Sequence, residues 1–245
     1  MCGLVGIFDT RGLGSFDRAQ LLRMNDRIAH RGPDDFGLHL EPGLALGHRR
    51  LAIIDLSPAG HQPMENAAGD LVIVFNGEIF NFMEIRTELE GLGYQFRTHS
   101  DTEVILHGWS AWGEKCIDRF RGMFAIALWD RKQDVLFLAR DRLGIKPLYY
   151  AQLSDGRLAF ASELKSLLEV PDLPRDLDPH AIEDYFAYGY IPDPKSIFKS
   201  VRKLAPGHLM IQRRGAAHAD PRPYWDVTFK ADPRLNSFEA VRESL

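Results

Sequence analysis

The sequence predicts a layered α+β domain built on antiparallel sheets. Strand candidates come in hairpin runs joined by tight turns, and two helices stand between the early run and the late one. A doubly wound parallel sheet would need a helix after nearly every strand, which this chain does not offer.

The elements follow in order. Cys2–Asp9 is apolar throughout and reads as a buried strand, stopped by the Asp9-Thr10-Arg11-Gly12 turn. Leu21, Leu22, Met24 and Ile28 give Asp17–His30 a helical face, and Arg31-Gly32-Pro33 forbids its continuation. His48–Asp55 and Asp70–Phe80 return to strand character, the second around an Asn76-Gly77 pair that signals a tight turn between strands. Phe82–Leu92 is helical, with Ile85, Leu89 and Leu92 on one face and Gly93 at its end. Ser100 and Glu103 stand at capping-box spacing and open a second helix near Asp101, continued by Val104, Ile105, Trp109 and Trp112. Four short strands follow: Met123–Trp129, Val135–Ala139, Leu148–Ala151 and Leu158–Ala161. Beyond Val170 prolines break the chain around one helix, His180–Tyr188, and Asn236–Leu245 reads as the opening turns of a last helix.

At 245 residues, 45% hydrophobic and 26% charged, the chain can bury a large core and falls outside the disordered, collagen-like and coiled-coil classes. A net charge of -4 offers no basic field to nucleic acid or to an anionic membrane. Apolar runs such as Leu71–Phe75 are far shorter than the roughly 20 residues of a membrane helix. The expectation is therefore a cytoplasmic protein with neither nucleic-acid nor membrane partners, and the start of the chain does not read as a secretory signal. Cys2 and Cys116 are expected as free thiols, and the scattered histidines suggest no metal site.

Several residues have chemical uses. Removal of Met1 would leave Cys2 with a thiol and a free α-amine together, so that nucleophile and base come from one residue. Taken alone, Cys2 is equally a small apolar residue opening a strand. Asn76-Gly77-Glu78 is a hairpin turn by local signal, but a side-chain amide and an unencumbered backbone N–H can also converge on an oxyanion. Arg50 can clamp a carboxylate bidentately or be a surface charge. Asp101 can hold an ammonium group or simply favour the start of a helix.

Taken together, Cys2-Gly3, His30-Arg31-Gly32-Pro33-Asp34, His48 to Asp55, Phe75-Asn76-Gly77-Glu78-Ile79, Ser100-Asp101-Thr102-Glu103 and Asp141 to Tyr150 resemble the class II glutamine amidotransferases. These are N-terminal-nucleophile enzymes, and the resemblance covers essentially the whole chain. Arg31-Gly32-Pro33-Asp34-Asp35 and Ala161-Ser162-Glu163-Leu164-Lys165 are similar to the asparagine-synthetase branch, as is the region from Tyr190 to Trp225.

The resemblance implies a four-layer αββα sandwich of two antiparallel sheets and an enzyme that hydrolyses L-glutamine to glutamate and ammonia. It implies Cys2, Asn76 and Gly77 as the catalytic set, and Arg50, Leu51, Ala52, Ile53, Ile54, Asn76, Gly77, Glu78 and Asp101 as the glutamine pocket. It further implies residues 1–210 as the glutaminase domain and 211–245 as a linker to an ATP-dependent synthetase domain, whose Ser-Gly-Gly-x-Asp-Ser loop does not occur here. ATP and Mg are expected for that domain only, with no cofactor in this chain. A homodimer stays open, and so do two other functions: ammonia supply to a different acceptor, or a non-catalytic glutamine-binding module.

Overall fold

The computed structural model describes residues 1–12, 14–228, 232–234, 237–239 and 242. Its strands are β1 (Gly3–Asp9), β2 (Asp35–Glu41), β3 (Leu44–Arg50), β4 (Met64–Glu65), β5 (Leu71–Ile79), β6 (Gly122–Asp130), β7 (Val135–Arg140), β8 (Tyr149–Gln152), β9 (Arg157–Ala161), β10 (Arg202–Lys203), β11 (His208–Arg213) and β12 (Arg222–Pro223). The helices are α1 (Arg18–Asp26), α2 (Phe82–Gly91), α3 (Asp101–Trp112), α4 (Cys116–Arg119), α5 (Leu164–Leu167) and α6 (Pro179–Tyr188). Strands in the order β10-β8-β9-β1-β3-β2 make one sheet and β12-β11-β7-β6-β5-β4 the other. Every pairing is antiparallel.

Successive side chains of a strand point to opposite faces, so each central strand divides its residues between two layers. In β1, Leu4 and Phe8 face the second sheet, whereas Val5 and Ile7 meet Leu21, Met24 and Ile28 on the α1 side. In β5, Val72 and Val74 face the first sheet, whereas Ile73 and Phe75 meet Ile85, Leu89, Val104 and Ile105 of α2 and α3. Both faces are apolar, which is why these strands read as continuous apolar runs. The order helix, sheet, sheet, helix is the expected αββα sandwich.

Local chemistry sets the helix ends. Asp17 caps α1 by accepting from the N–H groups of Ala19 and Gln20, and Gly189 closes α6 in the left-handed conformation at φ 77°. Ser100 caps α3 through the Thr102 N–H. The reciprocal half of the expected capping box is not made. Glu103 instead accepts from Arg97 and Thr98, and the Ser100 N–H donates to Thr98 Oγ1 at 3.1 Å.

Three further expectations need correction. Asn76-Gly77 is no turn but lies inside β5, where long-range pairing with β6 overrides the local signal. Glycine is needed at 77 because a Cβ there would stand 2.3 Å from the Met123 carbonyl oxygen. The strand expected over His48–Asp55 ends at Arg50, whose guanidinium draws the following loop inward by donating to the carbonyls of Asp55 and Ser57. Strand β2 was not expected at all, since its Gly37 and His39 spoil the apolar pattern. The helix opening expected at Asn236–Leu245 rests on Asn236, which lies outside the described residues.

Phe8 and Trp129 are fully buried between the sheets, their ring centroids 5.3 Å apart. Replacing Phe8 with Ala is expected to cost about 3–5 kcal/mol of stability. A lowered urea midpoint at unchanged slope would register it; a shift worth less than about 1 kcal/mol would mean that the inter-sheet layer collapses around the gap.

Candidate active site

An open cleft of ≈ 590 Å³ lies where β1 starts, β3 ends and β5 nears its end. Its wall contains Cys2, Arg50, Leu51, Ile53, Ile54, Asn76, Gly77, Glu78 and Asp101. Of the expected site residues only Ala52 is missing from it, and the Ala52 N–H donates to Asp34 at 2.9 Å.

Strand parity explains the convergence. Cys2 precedes Leu4 in the inward row of β1, Asn76 follows Val72 and Val74 in that of β5, and Arg50 follows Leu44 and Leu46 in that of β3. All three side chains therefore belong to the inter-sheet layer, at the end where its apolar filling gives way to the cleft.

The Cys2 thiol sits against the loop after β3: the Leu51 N–H donates to Sγ at 3.3 Å and Sγ is 3.5 Å from the Leu51 oxygen. Burial pushes this thiol above its ordinary value, against the opposing pull of the Leu51 hydrogen bond, the amine at the chain start and the Arg50 guanidinium. At neutral pH it therefore rests protonated and needs a base to become a nucleophile. The backbone is fixed separately, by Arg31 Nε donating to the Cys2 carbonyl at 2.8 Å while Nη1 pairs with Glu163 at 2.9 Å.

Asn76 is 1% exposed, and neither Nδ2 nor Oδ1 of its side chain has a hydrogen-bond partner among the described residues. Such a group costs about 1–3 kcal/mol when left unsatisfied, so its retention in a cleft wall needs a reason.

Gly77 supplies a second free donor, by an argument from register. Gly77 opposes Phe124 across β5 and β6. The Phe124 N–H donates to Asp141 Oδ2 at 3.1 Å, and its carbonyl accepts the Asp141 N–H at 2.8 Å. Both groups of Phe124 thus point away from β5, the pair is a non-hydrogen-bonded one, and the Gly77 N–H points away from β6. It shares that outer edge with the N–H groups of Phe75 and Ile79. Strand β4 covers the edge only from Val72 to Ile73. Gln62 Oε1 takes the Phe75 N–H at 2.7 Å and Asp101 Oδ2 takes the Ile79 N–H at 2.9 Å. Between them the Gly77 N–H makes no hydrogen bond among the described residues.

The charged groups divide by sign. Arg50, held by the carbonyls of Asp55 and Ser57, presents a buried guanidinium. Asp101 and Glu78 supply negative charge. Burial pushes the Asp101 carboxyl up to about 6, with the Ile79 hydrogen bond opposing the rise and neighbouring Glu78 adding to it.

Sequence reasoning gave no role to Arg31, Gln62, Thr102 or Lys146. Gln62, Thr102 and Lys146 line the cleft. The Lys146 side chain is buried without a hydrogen bond or ion pair among the described residues, and burial together with nearby Arg31 presses its amine below the ordinary lysine value. The only local signal was a lysine in the Gly144-Ile145-Lys146-Pro147 turn, where an exposed charge is the ordinary expectation. Cys116, by contrast, is a buried free thiol in the helical layer, away from the cleft wall. The described residues contain no cluster of His, Cys, Asp and Glu that could hold a metal, and no helix long and apolar enough to cross a membrane.

Comparison with known proteins identifies the family. The glutamine amidotransferase domain family matches residues 1–225. Asparagine synthetase [glutamine-hydrolyzing] 1 of Bacillus subtilis is 40% identical over 96% of this chain and 36% of its own length. A putative asparagine synthetase [glutamine-hydrolyzing] 2 of Methanocaldococcus jannaschii is 37% identical over 93% of this chain and 47% of its own. The chain thus spans less than half the length of these curated relatives. Among solved structures, glutamine phosphoribosylpyrophosphate amidotransferase from B. subtilis superposes with a TM-score of 0.65 at 18% identity, over 91% of this chain and 49% of that one, a likeness of fold. With the family profile spanning β1 to β12, this chain belongs to the glutamine amidotransferase domain family, on the N-terminal-nucleophile hydrolase fold.

Proposed function

We propose that this chain hydrolyses L-glutamine to glutamate and ammonia through Cys2. The observation that carries the reading is the pair of unpartnered donors, the Asn76 amide and the Gly77 N–H, in one cleft with the Cys2 thiol. Once Met1 is removed, the α-amine of Cys2 takes the thiol proton and Sγ attacks the side-chain carbonyl carbon of glutamine. The carbonyl π electrons move onto oxygen, which accepts hydrogen bonds from Asn76 Nδ2 and the Gly77 N–H. Collapse breaks the C–N bond, the amine returns its proton to the leaving nitrogen, and ammonia departs from a γ-glutamyl thioester. Water then cleaves the C–S bond to give glutamate and restore the thiol.

Substrate orientation follows the division of charge: Arg50 clamps the α-carboxylate, Glu78 and Asp101 hold the α-ammonium, and Leu51, Ile53 and Ile54 form the wall along the side chain. This half of the reaction calls for no cofactor. The longer relatives, glutamine-hydrolysing asparagine synthetases by name, support a role in supplying ammonia for asparagine synthesis, a role this reading places in the cytoplasm. On this reading a synthetase-type domain using ATP and Mg is the chain's partner.

The decisive assay is glutamate release from L-glutamine without ATP, by protein whose N-terminal mass is checked, beside Cys2→Ala. Activity is expected only with Met1 removed and Cys2 present; its absence from correctly processed protein would overturn the free-standing glutaminase. Asn76→Ala should lower kcat by about 10²–10³-fold with little change in KM, because the oxyanion exists only on the reaction path. An equal rise in KM at unchanged kcat would remove Asn76 from that role.

Asp101 gives a pH signature. An ionised carboxylate holds an ammonium and a protonated one does not, so glutamine affinity should be level above pH about 6 and fall below it. Titration of Cys2→Ala with glutamine at several pH values isolates binding from the proton transfers of catalysis. The acid fall should vanish in Cys2→Ala/Asp101→Asn; if it persists unchanged there, another group holds the ammonium.

A further inference from the structure

We infer that Gln62, anchored by Thr102 and assisted by His48, is the positioning device that aims the two oxyanion donors, an inference that rests on the glutaminase reading above. Among the described residues, the edge of β5 beyond Ile73 has no strand beside it. A strand edge without a partner is free to twist, yet the Gly77 N–H lies in that stretch and Asn76 immediately before it.

Side chains do there what a strand would do elsewhere. Gln62 Oε1 accepts the Phe75 N–H at 2.7 Å, and Gln62 Nε2 donates to Thr102 Oγ1 at 3.3 Å. Thr102 Oγ1 is also 3.0 Å from Ser100 Oγ, the cap of α3. Between these two residues stands Asp101, whose Oδ2 takes the Ile79 N–H. The N–H groups flanking Gly77 on either side are therefore fastened to one rigid object, the first turn of α3, directly at Ile79 and through Gln62 at Phe75. The free N–H between them inherits its direction from that double attachment.

His48 holds the carbonyl of the same residue, Phe75, and so the next peptide. It projects from β3 across the inter-sheet layer, fully buried, and its Nε2 donates to the Phe75 carbonyl at 3.0 Å. A carbonyl can only accept, so the proton is on Nε2, and Nδ1 is left without a partner among the described residues. The Phe75–Asn76 peptide, from which the Asn76 side chain departs, is thereby tied to the sheet that carries Cys2. Nucleophile and oxyanion donors belong to different sheets, and His48 is a direct polar link between those sheets beside the site.

The consequence concerns rate more than binding. Displacing a donor by about 1 Å can cost on the order of 10²-fold in rate, while the ground-state amide, held by its α-carboxylate and α-ammonium, feels little of it. Gln62→Met keeps the length of the side chain and removes both hydrogen bonds. Thr102→Val removes the anchor and the contact with Ser100 Oγ but leaves the Gln62–Phe75 bond, and Thr102→Ser keeps the hydroxyl.

The experiment measures kcat and KM for glutamine together with inhibition by glutamate γ-semialdehyde, whose carbonyl adds the thiol and places an oxyanion on the same donors. Gln62→Met is expected to lower kcat about 10–100-fold with KM within about twofold, and to weaken the aldehyde by a similar factor. The effect should shrink in an Asn76→Ala background, where one donor is already gone. Thr102→Val should show a smaller loss of the same kind, and Thr102→Ser should restore wild-type values.

A fall in melting temperature at unchanged kcat and aldehyde affinity would overturn the inference and leave Gln62 as a structural residue. If Gln62→Met does not fold, the Thr102 pair decides: equal kcat in Thr102→Val and Thr102→Ser sinks the proposal. The parent reading fails differently, by absence of Cys2-dependent hydrolysis in the wild-type protein, and the positioning inference would then fall with it.

Discussion

The site depends on where β4 stops. Buried backbone donors must find partners, and an antiparallel neighbour ordinarily provides them in a regular series. Strand β4 covers β5 at Val72 and Ile73, so three outward N–H groups beyond it must be satisfied otherwise. Gln62 and Asp101 take the outer two, leaving the central one, that of Gly77, facing the cleft. Register with β6 decides which groups point outward, and the close approach of the Met123 carbonyl keeps residue 77 a glycine. One register thus fixes the free donor, the residue that carries it and the inward direction of Asn76 beside it.

Cys2, the proposed nucleophile, is placed by the opposite device, a strand with partners on both sides. Strand β1 bonds β3 and β9, with Gly3 opposite Arg49 and Val5 opposite Ala161, so the residue before Gly3 has little freedom left. Arg31 removes more of it by holding the Cys2 carbonyl. A central strand therefore delivers the thiol and an uncovered edge delivers the donors. The inter-sheet layer, filled by Phe8, Leu46, Val74 and Trp129, keeps the two at a fixed separation. Close-packed protein interiors are stiff, which is what a site needing sub-ångström placement requires.

Much of this is legible in the sequence because much of it is local. Apolar runs located β1, β5, β6 and β7, and Asp178-Pro179 with Gly189 bracket the late helix by side-chain and backbone chemistry alone. The Asn76-Gly77 signal misled because pairing with β6 is a non-local fact that outweighs a two-residue preference. Motif resemblance located Cys2, Arg50, Asn76, Gly77 and Asp101, all of which meet in the cleft. It gave no role to Gln62 or Lys146, since a glutamine before a proline and a lysine in a turn have no period and no spacing to mark them. What places them is an unfilled edge on a strand in one case and burial beside a thiol in the other.

Burial of the thiol gives the assembly its final constraint. The groups that would stabilise a thiolate, the Leu51 N–H and Arg50, are outweighed by desolvation, so the folded site by itself favours the inactive protonated sulfur. Under the proposed mechanism the missing ingredient is a base close enough to act on a buried thiol, and the α-amine of the same residue meets that need without a further side chain. While Met1 is attached, that nitrogen is a peptide amide and cannot accept the proton. Met1 itself is exposed at the cleft, where a processing enzyme can reach it. On this reading the proposed oxyanion donors are set by sheet register and owe nothing to processing, whereas the proposed nucleophile depends on it. Under the proposed mechanism folding builds the geometry of the site without its base, and removal of one residue would supply it.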